Sequence, residues 1–371
     1  VAMSDTPESI REIRINPIVP TESVLVATAR GQRPQKAEEK VQRDSRQRVE
    51  TCPFCRGNEH KTPPTISAYP SESEWEIRMV ENLYPVLGDD REQSALALGL
   101  QQVIDGYGRH EVVIDHPDHG IMIHQMSREH LTNLFQMYQQ RMTELYRSDP
   151  RLKYVLVFKN FGPAAGASIP HTHSQIIATP VIPENVQNEV LHSRSHYNKL
   201  NQCVFCSLID EALTYEATIY DRDSGQVRRK INVGQYVIER GQRFVAIKPF
   251  ASRFEWEMHI LPLRHQADFL KATREDLADF SQVLRRAMAR LDQVIGGAQY
   301  NFFLHSAPHS DEFDDCDESY HWHLEICPRT SIPTGFELGS GLFVSTISPE
   351  AAAEQLRAVD LQQTTLDSDA S

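Results

Sequence analysis

The sequence predicts an α+β fold that arose by internal duplication: two similar domains, each an antiparallel sheet with one long helix packed on it. Three observations carry this. Two CxxC pairs, "CPFC" at 52–55 and "CVFC" at 203–206, are each followed by histidines at parallel distances. From Cys55 to His119 is 64 residues and from Cys206 to His265 is 59; from His119 to His171 is 52 and from His265 to His321 is 56. Between these markers each half runs strand, helix, strand in the same order, which is the signature of a repeat. The strands flanking each helix lie too close in sequence for a doubly wound sheet, so antiparallel pairing is expected.

The elements follow in order. Residues 1–50 are polar and highly charged and read as an irregular arm. In the first half "EVVIDHPDHG" is an apolar strand. After Ser127 the residues Leu131, Leu134, Phe135, Tyr138, Met142 and Leu145 recur at helical spacing, and "SDP" ends the helix. "YVLVFKN" and "HTHSQI" are the next strands. The second half repeats the pattern with "FEWEMHILPLRHQ", a helix after Thr273, "YNFFLHSAP" and "HWHLEI". Thr273 and Asp276 form a capping-box pattern, and Gly296–Gly297 stops the helix. The tail "LQQTTLDSDAS" reads as frayed. The expected domains are 1–195 and 196–371.

Composition narrows the function. Among 371 residues 40% are hydrophobic, enough for a substantial core, and the formal net charge is −13. That balance argues against a nucleic-acid surface, which needs excess Lys and Arg. A small anionic substrate is compatible with a locally positive pocket. No apolar run of about 18 residues is present, so no membrane span is expected. The start lacks a signal-peptide pattern, so the expected location is cytoplasmic. In that setting CxxC pairs point to metal or redox chemistry rather than to structural disulfides.

Zinc takes four Cys and His ligands in a closed tetrahedron when its role is structural. The first half offers Cys52, Cys55, His119 and His171; the second offers Cys203, Cys206, His265 and His321. Two structural zinc ions per chain are expected. On a strand, His171 and His173 share a face about 6.5 Å apart. If His171 is anchored by metal, His173 is held beside it with a free ring, and a free neutral imidazole is a nucleophile. "NFGPAAGAS" upstream, with Gly166, lets backbone N–H groups approach phosphate oxygens. Ser168 and Gln175 add neutral donors for charge developing on a phosphoryl group.

With "CPFC", "PDH", "NFGPAAGASIPHTHSQ" and "HWHLEICPR" in this order, the chain resembles the galactose-1-phosphate uridylyltransferase family of the histidine-triad superfamily, over roughly residues 10 to 360. The resemblance implies histidine-triad-like halves and ping-pong transfer of a nucleotidyl group from a nucleotide sugar through a covalent nucleotidyl-histidine. It implies that His173 is the nucleophile and that Gln175 stabilises the phosphoryl group. It places Arg30 and Arg33 near substrate phosphates, Asn82 at the nucleoside, and Asn160 and Ser168 at phosphate. It implies that Phe336 and Glu337, in "GFELGSG", reach the hexose, across a homodimer.

Some positions depart from the usual uridylyltransferase pattern, His-Pro-His-Gly-Gln, with Thr172 and Ser174 replacing Pro and Gly. Many relatives lack the second CxxC and use iron, for which Glu189, His305, His321 and His323 are the alternative set here. The His-x-His-Ser-Gln form, the second CxxC and "GFELGSG" resemble the ADP-glucose phosphorylase branch, which transfers an adenylyl group to inorganic phosphate. The acceptor is therefore hexose 1-phosphate or inorganic phosphate. His323 mirrors His173, but Glu325 stands in place of the Gln, and the second half reads as degenerate. A histidine-triad hydrolase and a zinc-dependent binding module are the remaining readings.

Overall fold

The computed structural model describes residues 9–32, 44–90 and 94–361, with the side chains of 228 and 229 excepted. Arg33 and residues 362–371 of the tail lie outside the described residues. The first half contributes strands β1 (Thr65–Tyr69), β2 (Ile77–Glu81), β3 (Arg109–Ile114), β4 (Tyr154–Phe161) and β5 (His173–Thr179). The second contributes β6 (Val237–Arg240), β7 (Phe244–Ile247), β8 (Met258–Pro262), β9 (Tyr300–His305) and β10 (His323–Pro328).

All ten strands join one antiparallel sheet in the order β6-β7-β8-β10-β9-β4-β5-β3-β2-β1. Counted from its outer edge, each half has the same connectivity, as a duplication predicts. The two sheets expected separately are thus fused through the β4–β9 pair, with Asn160 opposite Asn301. An isolated half would leave β4 or β9 as an open edge with unpaired backbone groups, and pairing the two edges satisfies both.

Four helices matter most: α1 (Arg128–Ser148), α2 (Glu184–Leu200), α3 (Val204–Thr214) and α4 (Arg274–Ile295). The expected caps form. Ser127 accepts from the His130 N–H, Thr273 and Asp276 make a reciprocal capping box, and Gly296 ends α4 at φ 72°. The division at residues 195 and 196 falls inside α2.

Helices α1 and α4 cover one face of the sheet. Phe135 of α1 and Phe280 of α4 meet edge to face at 4.7 Å. Around them Val113, Val157, Ile176, Ile260, Phe302 and Leu324 form the main core. Each such side chain contributes about 1.5–3 kcal/mol on burial. Side chains alternate along a strand, so the opposite face carries the other set. There the register aligns Val112, Gln175, Phe158, Phe303, Glu325 and His259 in one row across the sheet. Gln175 and Glu325 occupy symmetric places in that row. The polar residues that carry chemistry collect on this face because the helices have taken the other.

The N-terminal arm is more ordered than its composition suggests. Arg11–Ile15 and Ser23–Ala27 pair, and Phe343–Ser345 joins the second of them in parallel. Val24 and Val26 are buried. Strand formation here depends on a partner over 300 residues away, which no local pattern reveals. Among the described residues no helix is long and apolar enough to cross a membrane.

Candidate active site and metal centres

Both expected Cys/His sets assemble, and in each the donor atoms all lie within 4.8 Å of one another. In the first, Cys55 Sγ is 3.5 Å from Nδ1 of His119 and 3.5 Å from Nδ1 of His171, and Cys52 Sγ is 3.7 Å from His171 Nδ1. A tetrahedral centre with Zn–S near 2.3 Å and Zn–N near 2.0–2.1 Å separates sulfur from nitrogen by about 3.5 Å. The tautomers also fit. His171 Nε2 donates to the His116 carbonyl at 2.7 Å, which leaves Nδ1 with its lone pair toward the sulfurs. His119 Nε2 lies 3.4 Å from an Asp44 carboxylate oxygen.

The second set repeats this. Cys206 Sγ is 3.3 Å from His265 Nδ1 and 3.6 Å from His321 Nδ1. The outer nitrogens donate to the carbonyls of Asp317 and Pro262, each at 2.8 Å. Both donor sets fit a metal ion of the zinc type. Either ion would tie a CxxC turn to loops far away in sequence, and so would contribute to folding.

A third group brings Glu189, His305, His323 and Glu325 together. It differs from the alternative iron set in one residue: His321 is committed to Cys206, and Glu325 stands in its place. His305 Nδ1 lies 3.0 Å from Glu189.

His171 precedes the strand, which begins at His173. His173 is 7% exposed, and its Nδ1–H donates to the His171 carbonyl at 2.8 Å. A carbonyl only accepts, so Nε2 carries the lone pair. Burial lowers the pKa of His173, which favours the neutral, attacking form. Phe54, from within the CxxC turn, packs its ring 5.2 Å from His173. The metal loop therefore braces both imidazoles.

Beneath the strand lies a buried network that sequence reading missed. Lys159, wholly buried, donates to Asp115 at 2.6 Å, Thr172 Oγ1 at 2.7 Å and the His173 carbonyl at 3.0 Å. Ser174 donates to Asp115 at 3.0 Å and accepts from Tyr138 at 2.7 Å. This accounts for the departures at Thr172 and Ser174: both hydroxyls face the buried Lys159–Asp115 pair, where Pro and Gly would offer nothing.

Gln175 is brought together with Asn82 through His110, whose Nε2 is 2.8 Å from Gln175 Oε1 and 3.1 Å from Asn82 Nδ2. Asn160 accepts from Asn301 Nδ2 at 2.7 Å, and the same amide donates to the Ala165 carbonyl at 2.9 Å. These contacts fix the loop from Gly162 to Gly166. Gly162 adopts φ 85°, and a Cβ there would meet Gln299 Cγ at 2.5 Å, so only glycine fits. Gly166 and Ser168 are exposed at the loop's outer side.

Arg30 and Glu337 are not part of this cluster. They line a separate cavity of about 390 Å³ with Thr330, Ile332 and Arg253. The Arg30 charge helps to hold the Glu337 carboxyl below its usual range, behind the larger effect of the Thr334 hydroxyl. Phe336 is half exposed beside them.

In the second half the mirror position is closed to phosphate. Glu325 is ion-paired with Arg253, and His259 lies 3.6 Å away. His323 Nδ1 donates to the His321 carbonyl at 3.0 Å, as His173 does to His171. Its Nε2 faces Glu189 at 3.8 Å and Glu325 at 3.6 Å. Two carboxylates in front of the ring repel a phosphate.

Residues 3–183 match the family described as galactose-1-phosphate uridyl transferase, N-terminal domain. The chain is 28% identical over 354 residues to ADP-glucose phosphorylase of Arabidopsis thaliana, covering 94% of this chain and 93% of that protein. It is 27% identical over 359 residues to galactose-1-phosphate uridylyltransferase of Thermotoga maritima, covering 95% and 99%. The crystal structure of an ADP-glucose phosphorylase from Arabidopsis thaliana with bound ADP-glucose superposes with a TM-score of 0.77 at 26% identity, covering 95% of this chain and 100% of that one.

Proposed function

We propose that the chain, whose residues 3–183 match the galactose-1-phosphate uridyl transferase N-terminal family, is a hexose-1-phosphate nucleotidyltransferase of that kind working by ping-pong chemistry through His173. The observation that carries this is the imidazole itself: Nδ1 is tied to the His171 carbonyl, and Nε2 is left with its lone pair on the polar face of the sheet. Nε2 attacks the α-phosphorus of a nucleotide sugar, an N–P bond forms, and the P–O bond to hexose 1-phosphate breaks. The departing oxygen keeps the bonding electrons. A second phosphate then attacks phosphorus, and His173 leaves with its lone pair restored. Gln175 donates to the non-bridging oxygens, and the Gly162–Gly166 loop, with Ser168 and Asn160, lies along the phosphates. Asn82 contacts the nucleoside.

Zinc is the metal that best suits both Cys2His2 sets. Its role is structural, and no step of the transfer passes through it. Two zinc ions per chain by metal analysis, falling to one in Cys203→Ser, are the expected result; an unchanged count in that variant overturns the second site. The halves meet near residue 195. Thiolate ligands must stay reduced to hold a metal, which suits a reducing compartment, the cytoplasm.

Arg30, Phe336 and Glu337 sit apart from His173, and exposed apolar side chains lie both near Asn82 (Leu83, Tyr84, Val86) and near Glu337 (Ile332, Leu338). A homodimer in which the Glu337 segment of one protomer covers the His173 site of its partner joins the two clusters. Mixing His173→Ala and Glu337→Ala protein should then regain activity that neither has alone, and no regain under subunit exchange removes the shared site.

The substrate test is a matrix of UDP-glucose or ADP-glucose as donor against galactose 1-phosphate or inorganic phosphate as acceptor. The uridylyl reading expects turnover with UDP-glucose and galactose 1-phosphate. The second reading, adenylyl transfer from ADP-glucose to inorganic phosphate, is supported by the 28% identity to ADP-glucose phosphorylase. Release of free nucleotide to water with no phosphate acceptor overturns both.

A further inference from the structure

We propose that His110 is a positioning residue that fixes which end of the Gln175 amide faces the transferring phosphoryl group. The inference rests on the nucleotidyl-transfer reading above and deepens it. An amide is an ambiguous tool beside a phosphate. Turned one way it offers two N–H donors; turned the other it offers a carbonyl oxygen that repels the anion. The two orientations have nearly the same shape, so packing alone does not choose between them.

Hydrogen bonding chooses here. The Val86 backbone N–H donates to His110 Nδ1 at 3.2 Å. A backbone N–H is never an acceptor, so Nδ1 holds a lone pair and the ring proton sits on Nε2. That Nε2–H points at Gln175 Oε1, 2.8 Å away. Gln175 therefore spends its carbonyl on His110 and keeps both N–H bonds for the substrate. The same logic reaches Asn82. Its Oδ1 accepts from the Tyr84 N–H at 2.9 Å, so its Nδ2 is the end nearest His110; with the Nε2 proton directed at Gln175, that 3.1 Å approach is a contact between two donors and not a hydrogen bond, and Asn82 is held by Tyr84. One buried imidazole thus stands between the residue assigned to the nucleoside and the residue assigned to the phosphoryl group. Both are oriented as donors by fixed backbone N–H groups of the segment 84–86.

The degenerate half shows the contrast. Glu325, at the place of Gln175, is held by Arg253 and has no amide to orient. The half with Gln175 carries the arrangement, and the half with Glu325 does not.

In the transfer step negative charge gathers on the non-bridging oxygens while N–P bonding replaces P–O bonding. A donor that must first rotate into place stabilises that charge less than one already aimed. His110→Phe removes the ring donor. His110→Gln keeps an N–H near the Nε2 position. The measurement is single-turnover formation of nucleotidyl-His173, by intact mass, with UDP-glucose and with ADP-glucose. His110→Phe should slow labelling by about 10²-fold, comparable to loss of one preorganised donor, with donor affinity little changed. His110→Gln should recover most of the rate. Gln175→Ala should cost as much as His110→Phe, and the double variant no more than either, because the two act as one unit. Wild-type labelling rates in His110→Phe, or additive losses in the double variant, overturn the proposal.

A readout independent of turnover is the tautomer. With 15N-labelled histidine, and His110→Gln to assign the signal, the resting protein should show His110 protonated at Nε2 alone. Protonation at Nδ1 overturns the positioning role whether or not any donor labels the protein. Failure of wild-type protein to label with either donor instead refutes the nucleotidyl-transfer reading, and with it the catalytic consequence. The orientation of Gln175 would still be decided by the tautomer.

Discussion

His173→Ala is expected to abolish the covalent nucleotidyl adduct and to lower turnover by on the order of 10⁴-fold or more, the scale seen when a nucleophile is removed from a unit that acts as a whole. The fold should survive. His173 reaches the surface of the sheet at its polar face, while metal binding falls to His171 and the strand is held by Lys159 at the His173 carbonyl, which alanine retains. Metal held by the two Cys/His sets should therefore stay bound, and the unfolding midpoint should move little. A nucleotidyl group carried on His173 of the wild-type protein would be a phosphoramidate, so it should be lost in acid and persist in base. A rival nucleophile is hard to find. His323 has the same local geometry, but its Nε2 looks at the carboxylates of Glu189 and Glu325. Peptide mapping of the adduct to His323, or labelling of His173→Ala at the wild-type rate, would end the assignment.

What the sequence disclosed here follows from how rare a residue type is and how far its meaning depends on tertiary register. Cysteines and histidines are few and chemically distinct. Two sets repeated at distances of 52 to 64 residues stand out, and both sets assemble, with the outer nitrogens of His171, His265 and His321 tied to carbonyls. The long helices were legible because Leu, Phe and Met recur on one face and the caps are local. Other parts were not legible, for definite reasons. His110 lies in "GRHEVVI", where a histidine near a strand end looks ordinary; its role exists only because Gln175 on β5 and Asn82 beyond β2 meet it. Lys159 near the end of β4 reads as a solvated charge, yet the alternation of that strand and the α1 cover bury it completely. Asn301 gains meaning only when β9 pairs with β4, across the joint between the halves. The third acidic and histidine cluster was half seen: Glu189, His305 and His323 were named, but Glu325 replaces His321 because one imidazole cannot serve two centres. The N-terminal hairpin was missed since its stabilising neighbour, Phe343–Ser345, lies at the far end of the chain.

Removal of Lys159 should be the most damaging change away from the reacting atoms. Its ammonium and the Asp115 carboxylate are 0% and 1% exposed. Burial pulls the lysine pKa down, and Asp115 opposes that shift. Each charge is tolerable only because the other is present, with Thr172, Ser174 and the His173 carbonyl completing the set. Lys159→Met leaves Asp115 as an uncompensated buried carboxylate, and such a loss costs about 3–5 kcal/mol. Asp115→Ala leaves the ammonium in the same position and should cost a similar amount. The double variant, Lys159→Met with Asp115→Leu, has no buried charge to solvate. It should be more stable than the sum of the single losses predicts, and the cycle measures that coupling. Denaturant midpoints of the metal-loaded protein give the stability terms. Additive losses would mean that the two charges do not support each other. Activity separates packing from positioning. Once both charges are gone the backbone carbonyl of His173 loses the donor that Lys159 gives it, so the stabilised double variant should remain slow in nucleotidyl transfer. If it regains wild-type rates with its stability, the buried pair holds up the strand but does not aim the imidazole.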